Sequence, residues 1–237
     1  MTEALFRTDA YLRSAAARIV AVEERGIVLD RTPFYPRAGG QPGDTGTIRW
    51  DGGEAALGEA VKGEGDAILH PVQGEAPPIG AEVEVVLDWE RRHRHMRMHS
   101  SMHLLCSLIR GAGVTGGQIG AEKSRLDFDL PEPPTREWLA EGLAALIAAD
   151  HPVTESWISE AELDANPGLV RTLSVQPPRG SGRIRLVRIG PLEAPVDLQP
   201  CGGTHVRSTG EIGALEVLKI ENKGKQNRRV SLALKEG

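Results

Sequence analysis

His99 and His103 in HSSMHLL, and Cys201 and His205 in CGGTHV, make two pairs of metal-ligating residues, each spaced by four and nearly a hundred positions apart. Imidazole nitrogen and thiolate sulfur are donors that zinc prefers. Residues four apart stack on one face of an α-helix, so His99 and His103 can hold one ion together. An HxxxH spacing alone is often incidental. The second pair changes its weight, because Cys201 stands between Pro200 and the Gly202-Gly203 dipeptide, residues that shape a sharp loop able to present a ligand. The expectation is one zinc ion per chain, held by His99, His103, Cys201 and His205.

Two residues on the same helical stripe could replace a named ligand: His95, four before His99, and Cys106, three after His103. The alternative for His95 is a partly exposed member of a basic run, and for Cys106 a buried small thiol. No Glu lies between the two histidines, where Ser100, Ser101 and Met102 stand, so the pattern is not the HExxH of a zinc protease. Nor is it a zinc finger, since pairs this far apart cannot fold a miniature domain around an ion. Four protein ligands usually close a structural site, whereas catalysis keeps a position open, and the spacing leaves that choice undecided.

A pre-existing fold must therefore bring the two segments together. From Arg91 no Gly or Pro occurs until Gly111, which predicts a helix under the histidine pair. Before it, residues 1–90 read as strands and tight turns: ARIVAV and GIVLD around EERG, GTIRW before the Asp51 to Gly53 turn, and an alternating AEVEVVLDW from Ala81. They predict a small β-barrel-like N-terminal domain. Residues 91–237 predict an α+β domain with a mainly antiparallel sheet. Its strands are KSRLDFDL, VTESWIS, RIRLVRI, GALEVLKI and RRVSLALK. Thr135 is placed to cap a helix striped by Trp138, Leu139, Leu143, Leu146 and Ile147, and Ser159 with Glu162 forms a capping box. QPPRGSG, residues 176–182, reads as a surface loop.

The chain has 237 residues, 40% hydrophobic and 26% charged, with a net charge of -5. That balance belongs to an ordinary globular protein and argues against one wrapped wholesale around nucleic acid. Two segments are nevertheless basic, Arg91 to His99 and Lys219 to Arg229, and a local basic face suffices to bind RNA. The N-terminus lacks a signal-peptide pattern and no apolar run reaches a membrane-spanning length, which leads to a cytoplasmic expectation with reduced cysteines.

HSSMHLL with CGGTHV, followed by RSTGEIG, resembles the editing domain of alanyl-tRNA synthetase and its free-standing relatives, the AlaX proteins. The likeness extends through TPFYPRAGGQPGDTG at Thr32 to Gly46, GQIGAEKSRLDFD at Gly117 to Asp129, and KIENKGKQNRR at Lys219 to Arg229, in the family's order. The glycine-rich motif looks like that of the medium-length AlaX form. It departs from the usual pattern at Arg37 and Ala38, where family members carry an acidic residue and a further glycine; Gly39, Gly40 and Gln41 are retained.

What the resemblance implies is a zinc-dependent aminoacyl-tRNA deacylase, a carboxylic ester hydrolase acting in trans on tRNA(Ala) mischarged with serine, and also with glycine. A zinc-stabilised tRNA binder without catalysis and a threonyl-type editing enzyme are the alternatives. No phosphate-binding loop of the G-x-x-x-x-G-K-[ST] kind occurs, so no ATP use is expected. Gln41 and Gln118 are the candidate catalytic groups. Gly39, Gly40, Thr204, Arg125, Lys223, Lys225, Arg228 and Arg229 are candidate substrate contacts, and Lys123 joins them as a pocket or RNA contact. Thr204, Ser100 and Ser101 are the hydroxyls placed to read a serine side chain. Asp197 and Gln199, just before Cys201, are placed to orient the metal ligands.

Overall fold

The structure, a computed structural model, describes residues 1–173, 177, 179–180 and 182–235. The chain divides into two compact units, Met1–His95 and Met96–Gly237, with the division inside one long helix. No helix among the described residues is long and apolar enough to cross a membrane.

The first unit is built on strands β1 (Glu3–Ala4), β2 (Ser14–Glu23), β3 (Gly26–Leu29), β4 (Arg31–Thr32), β5 (Gly46–Trp50), β6 (Gly53–Leu57), β7 (Val61–Lys62), β8 (Ile68–His70), β9 (Val72–Gln73) and β10 (Glu82–Leu87). Eight of them form one sheet in the order β7-β8-β3-β2-β10-β5-β6-β9, while β1 and β4 pair in parallel on their own. The alternation in β10 does what the sequence predicts: Val83, Val85 and Leu87 turn inward and the two glutamates outward. They join Ile19, Ile27, Leu29, Phe34 and Ile48 in the core of this unit. The expected β-barrel-like domain is corrected in one respect. The ladder runs from β7 to β9 without pairing those ends, so the sheet is open and no closed barrel forms.

The helix α1 (Trp89–Leu108) begins two residues before the predicted start, where the Asp88 carboxylate accepts the Arg91 N–H at 3.1 Å. The second unit continues with β11 (Gly113–Gln118), β12 (Lys123–Asp129), α2 (Arg136–Ala148), β13 (Val153–Ser159), α3 (Glu160–Ala165), β14 (Arg183–Ile189), β15 (Asp197–Pro200), β16 (Leu215–Asn222) and β17 (Asn227–Leu234). They form two antiparallel sheets, β11-β12-β17-β16 and β13-β14-β15. The whole is a mixed α and β structure in which antiparallel pairing dominates.

Both predicted helix caps are present: Thr135 accepts from Trp138 N, and Ser159 with Glu162 closes a reciprocal capping box. On α2 the inward stripe is Leu139 and Leu143, with Leu146 and Ile147 half-buried. Trp138 faces outward and is 48% exposed. Of the loop predicted at 176–182, residues 176, 178 and 181 lie outside the described residues.

Candidate metal centre

The helical period of α1 puts His99 and His103 side by side, with ring centroids 5.4 Å apart. The strand β15 delivers the other pair: it ends at Pro200, and the chain then turns through Cys201, Gly202 and Gly203 toward His205. One donor atom from each of His99, His103, Cys201 and His205 falls in a group whose members all lie within 4.8 Å of one another. The Cys201 sulfur is 3.4 Å from His99 Nε2 and 3.3 Å from His205 Nε2. In a tetrahedral zinc site, metal–nitrogen bonds of about 2.0–2.1 Å and a metal–sulfur bond of about 2.3 Å set neighbouring donors about 3.4–3.6 Å apart. The donor set and its spacing thus fit a small tetrahedral cation.

Contacts behind the rings fix which nitrogen faces inward. His103 Nδ1 lies 2.8 Å from Asp197 Oδ2, which leaves Nε2 as its inward donor. Gln199 Nε2 donates to the same Asp197 oxygen at 2.8 Å, so Asp197 and Gln199 stand where the sequence placed them. His205 Nδ1 lies 3.2 Å from Ser100 Oγ, which also accepts the Val206 N–H at 3.2 Å. Around α1, the Arg97 guanidinium donates to the Ile212 carbonyl at 2.7 Å. Gly213, with φ of 72°, has Arg97 Nη2 only 2.8 Å from where a Cβ would stand, which accounts for the glycine closing GEIG.

The electrostatics of the cluster favour a Cys201 thiolate beside a protonated His103. Burial works to push the Cys201 thiol up, but the neighbouring His99 and His205 and hydrogen bonds with His103 and His205 outweigh it and hold the thiol well below its ordinary value. Burial likewise opposes a charged His103, yet Asp197 and Cys201 together push its pKa up to about 10. His205 is held well below the usual imidazole value by burial and by His99. Of the rival ligands, Cys106 is a buried thiol pushed up to about 12 by burial, outside the four-residue group, and His95 is buried, not partly exposed. Both cysteines are free.

The other sequence candidates distribute unevenly. Gly39 and Gly40, with φ of 56° and 81°, are the two central residues of a tight turn in the first unit, closed by reciprocal backbone bonds between Ala38 and Gln41. The Gln41 side chain is fully buried in that unit. Gln118 is exposed at the end of β11, directly across from Arg125 on β12. Thr204 is buried next to His205. The hydroxyls of Ser100 and Ser101 are engaged, the first as above and the second with the Met98 carbonyl at 2.7 Å.

Lys223 lies 3.4 Å from Glu221, and Lys225 is exposed on the β16–β17 turn. Arg228 is buried and donates to the carbonyls of Gly224, Lys225, Asn227 and Pro131, so it ties the turn together from inside. Arg229 grips Asp127 with two bonds of 2.7 and 2.8 Å, and Arg125 reaches the same carboxylate at 2.9 Å. The Arg229 hydrogen bonds and the nearby Arg125 keep the Asp127 carboxyl below its usual range. A residue the sequence reading missed is Arg185 on β14, whose guanidinium donates to the Cys201 carbonyl at 2.6 Å and the Gly203 carbonyl at 3.0 Å.

A helix-borne histidine pair meeting a Cys/His loop beside antiparallel strands defines a domain class that sequence comparison also recognises. The profile for the threonyl and alanyl tRNA synthetase second additional domain matches residues 184–231, and the profile for class II (A) tRNA synthetases matches residues 5–91. The alanyl-tRNA editing protein AlaX-M of Methanosarcina mazei is 40% identical over 250 residues, covering 99% of this chain and 97% of that protein. AlaX-M of Saccharolobus solfataricus is 34% identical, covering 99% and 100%. The alanine–tRNA ligase of Pyrobaculum neutrophilum is 44% identical over 230 residues, but the chain spans only 25% of that protein's length. The chain belongs to the AlaX-M family of alanyl-tRNA editing proteins.

Proposed function

We propose that the chain is a zinc-dependent, trans-acting hydrolase of mischarged tRNA(Ala), cleaving the ester of Ser-tRNA(Ala) and also of Gly-tRNA(Ala), in the cytoplasm and without ATP. The observation that carries this is the cluster of three buried imidazoles and one half-buried thiol in a chain alike over 99% of its length to a protein named as an alanyl-tRNA editing protein. Zinc bound by these four residues would supply a Lewis acid to polarise the ester carbonyl and a water. Asp197 and Ser100 orient the rings of His103 and His205, so the donors stand ready before substrate arrives.

Thr204 is the hydroxyl we assign to the serine side chain, because it is buried and immediately precedes the metal-ligating His205 in the CGGTHV loop. A cognate alanine leaves that hydrogen bond unmade, which is costly in a buried site. The Gly39-Gly40-Gln41 turn offers exposed glycine backbone as a substrate contact of the first unit, and Gln118 with Arg125 contacts the substrate from β11 and β12 of the second. Lys223 and Lys225 take the phosphate contacts. Arg228 and Arg229 support that hairpin, since their guanidinium groups are committed to carbonyls and to Asp127.

The complete four-ligand set favours a second reading, a zinc-stabilised tRNA binder without catalysis. The profile shared by threonyl and alanyl synthetases makes a mischarged threonine tRNA the natural control. The test is deacylation of Ser-, Gly- and Ala-tRNA(Ala) with zinc content measured on the same sample. Hydrolysis of the first two, with Ala-tRNA(Ala) spared, supports the proposal. Tight tRNA binding by zinc-loaded protein without hydrolysis establishes the second reading, and equal hydrolysis of all three overturns discrimination.

A further inference from the structure

We infer that Arg185, oriented by Glu155, is a positioning residue for the ligand loop at Cys201 to His205 and sets how tightly the centre holds its ion. The inference rests on the metal reading given above.

The loop that carries two of the four donors has no helical or strand hydrogen bonding of its own, and two of its five residues are glycine. Glycine loses more backbone freedom on ordering than any other residue, so holding this segment in one conformation is costly. Arg185 supplies the restraint. Its Nη1 donates to the carbonyls of Cys201 and Gly203, and its own carbonyl accepts the Cys201 N–H at 3.2 Å. One residue thus fixes the sulfur-bearing residue at both its N–H and its C=O. Gly203 is tied in turn to the sulfur, its N–H pointing at Sγ from 3.5 Å.

Glu155 aims the guanidinium. Its Oε2 accepts Arg185 Nε at 2.8 Å and its Oε1 accepts Nη2, a fork-to-fork pair that consumes one edge of the arginine and turns Nη1 toward the loop. The Arg185 side chain is 7% exposed, whereas that of Glu155 is 39% exposed. Lysine, a point donor on a flexible stem, cannot grip Glu155 and both loop carbonyls at once. If the pair served only to hold β13 to β14, its loss would lower stability and leave ion affinity untouched. A positioning role moves the affinity.

The experiment is Co2+ titration of metal-stripped full-length protein, reading the thiolate-to-cobalt charge-transfer and ligand-field bands, with circular dichroism melts as the folding control. Removing partners behind a ligand typically weakens metal binding by about 10–100-fold. Arg185→Met is expected to lose affinity in that range and shift the charge-transfer band. Arg185→Lys is expected to recover part of the loss, and Glu155→Gln to show a smaller one. If Arg185→Met does not fold, Glu155→Gln decides, since it swaps an exposed carboxylate for an isosteric amide whose oxygen can still accept one Arg185 hydrogen bond. Parental affinity and band positions in the folded variants overturn the inference alone. A parent chain that gives no cobalt bands overturns the metal reading and this inference with it.

Discussion

His70 offers a test of how burial in the first unit couples stability to pH. Its side chain is wholly buried on β8, edge-on to Phe34 with ring centroids 5.1 Å apart, and neither ring nitrogen has a hydrogen-bond partner among the described residues. Burial alone pulls its pKa from 6.5 down to about 3. The folded state therefore binds fewer protons than the unfolded state between those two values. Stability is lost as pH falls through that window, at a limiting rate of about 1.4 kcal/mol per pH unit. At pH 4.5, two units below the ordinary imidazole value, the penalty amounts to about 2.7 kcal/mol. Leucine is close in volume and carries no polar atom, so His70→Leu is expected to remove both the orphaned nitrogens and the proton linkage. At pH 7.5 the variant should be more stable by about 1–3 kcal/mol, the usual cost of an unsatisfied buried polar group. Urea unfolding of parent and variant at pH 7.5, 6.0, 5.0 and 4.5 measures the difference, in which all other titrating groups cancel. A gap that stays constant across that range refutes the reasoning.

Three further outcomes are expected. His103→Ala or Cys201→Ala should lose zinc and deacylation together, checked by elemental analysis beside single-turnover hydrolysis; a metal-free variant with parental activity would remove zinc from the mechanism. Arg92→Met strands the Asp44 carboxylate, which is fully buried with Arg92 and also accepts the Tyr35 N–H, so stability should fall by about 3–5 kcal/mol in a denaturant titration. Charge reversal of Lys223 and Lys225 together should raise KM for charged tRNA, leave zinc content unchanged and flatten the salt dependence of binding; an unchanged KM at physiological salt would make the turn a solvated one.

The four donors were legible because their chemistry is carried by residue type, and a spacing of four has a direct geometric meaning on a helix. Asp197 and Gln199 were legible for a lesser reason, adjacency to Cys201. Arg185 was not: within RIRLVRI an arginine reads as the outward member of an alternating strand, and only the fold reveals that the loop carbonyls wait for it. Arg228 and Arg229 show the converse. Their charge suggested phosphate, but one is spent inside its own turn and the other on Asp127 across the sheet. Alternation likewise identified β10 and β12 as strands without saying which strands would be neighbours, so whether the N-terminal sheet closes on itself was beyond it. Trp138 fell on the helical stripe by count but outside it in space, since the buried arc of α2 is centred on Leu139 and Leu143.

The placement of the donors on two distant segments has a topological consequence. An ion held between His103 and Cys201 would act as a removable cross-link across the intervening chain, which contains α2, α3 and strands from both sheets of the second unit. By the chain-entropy relation, tying off a loop of about 100 residues disfavours the unfolded chain by about 4.7 kcal/mol, as much as a well-placed disulfide. Unlike a disulfide, this tie needs no oxidant, and a chelator can undo it.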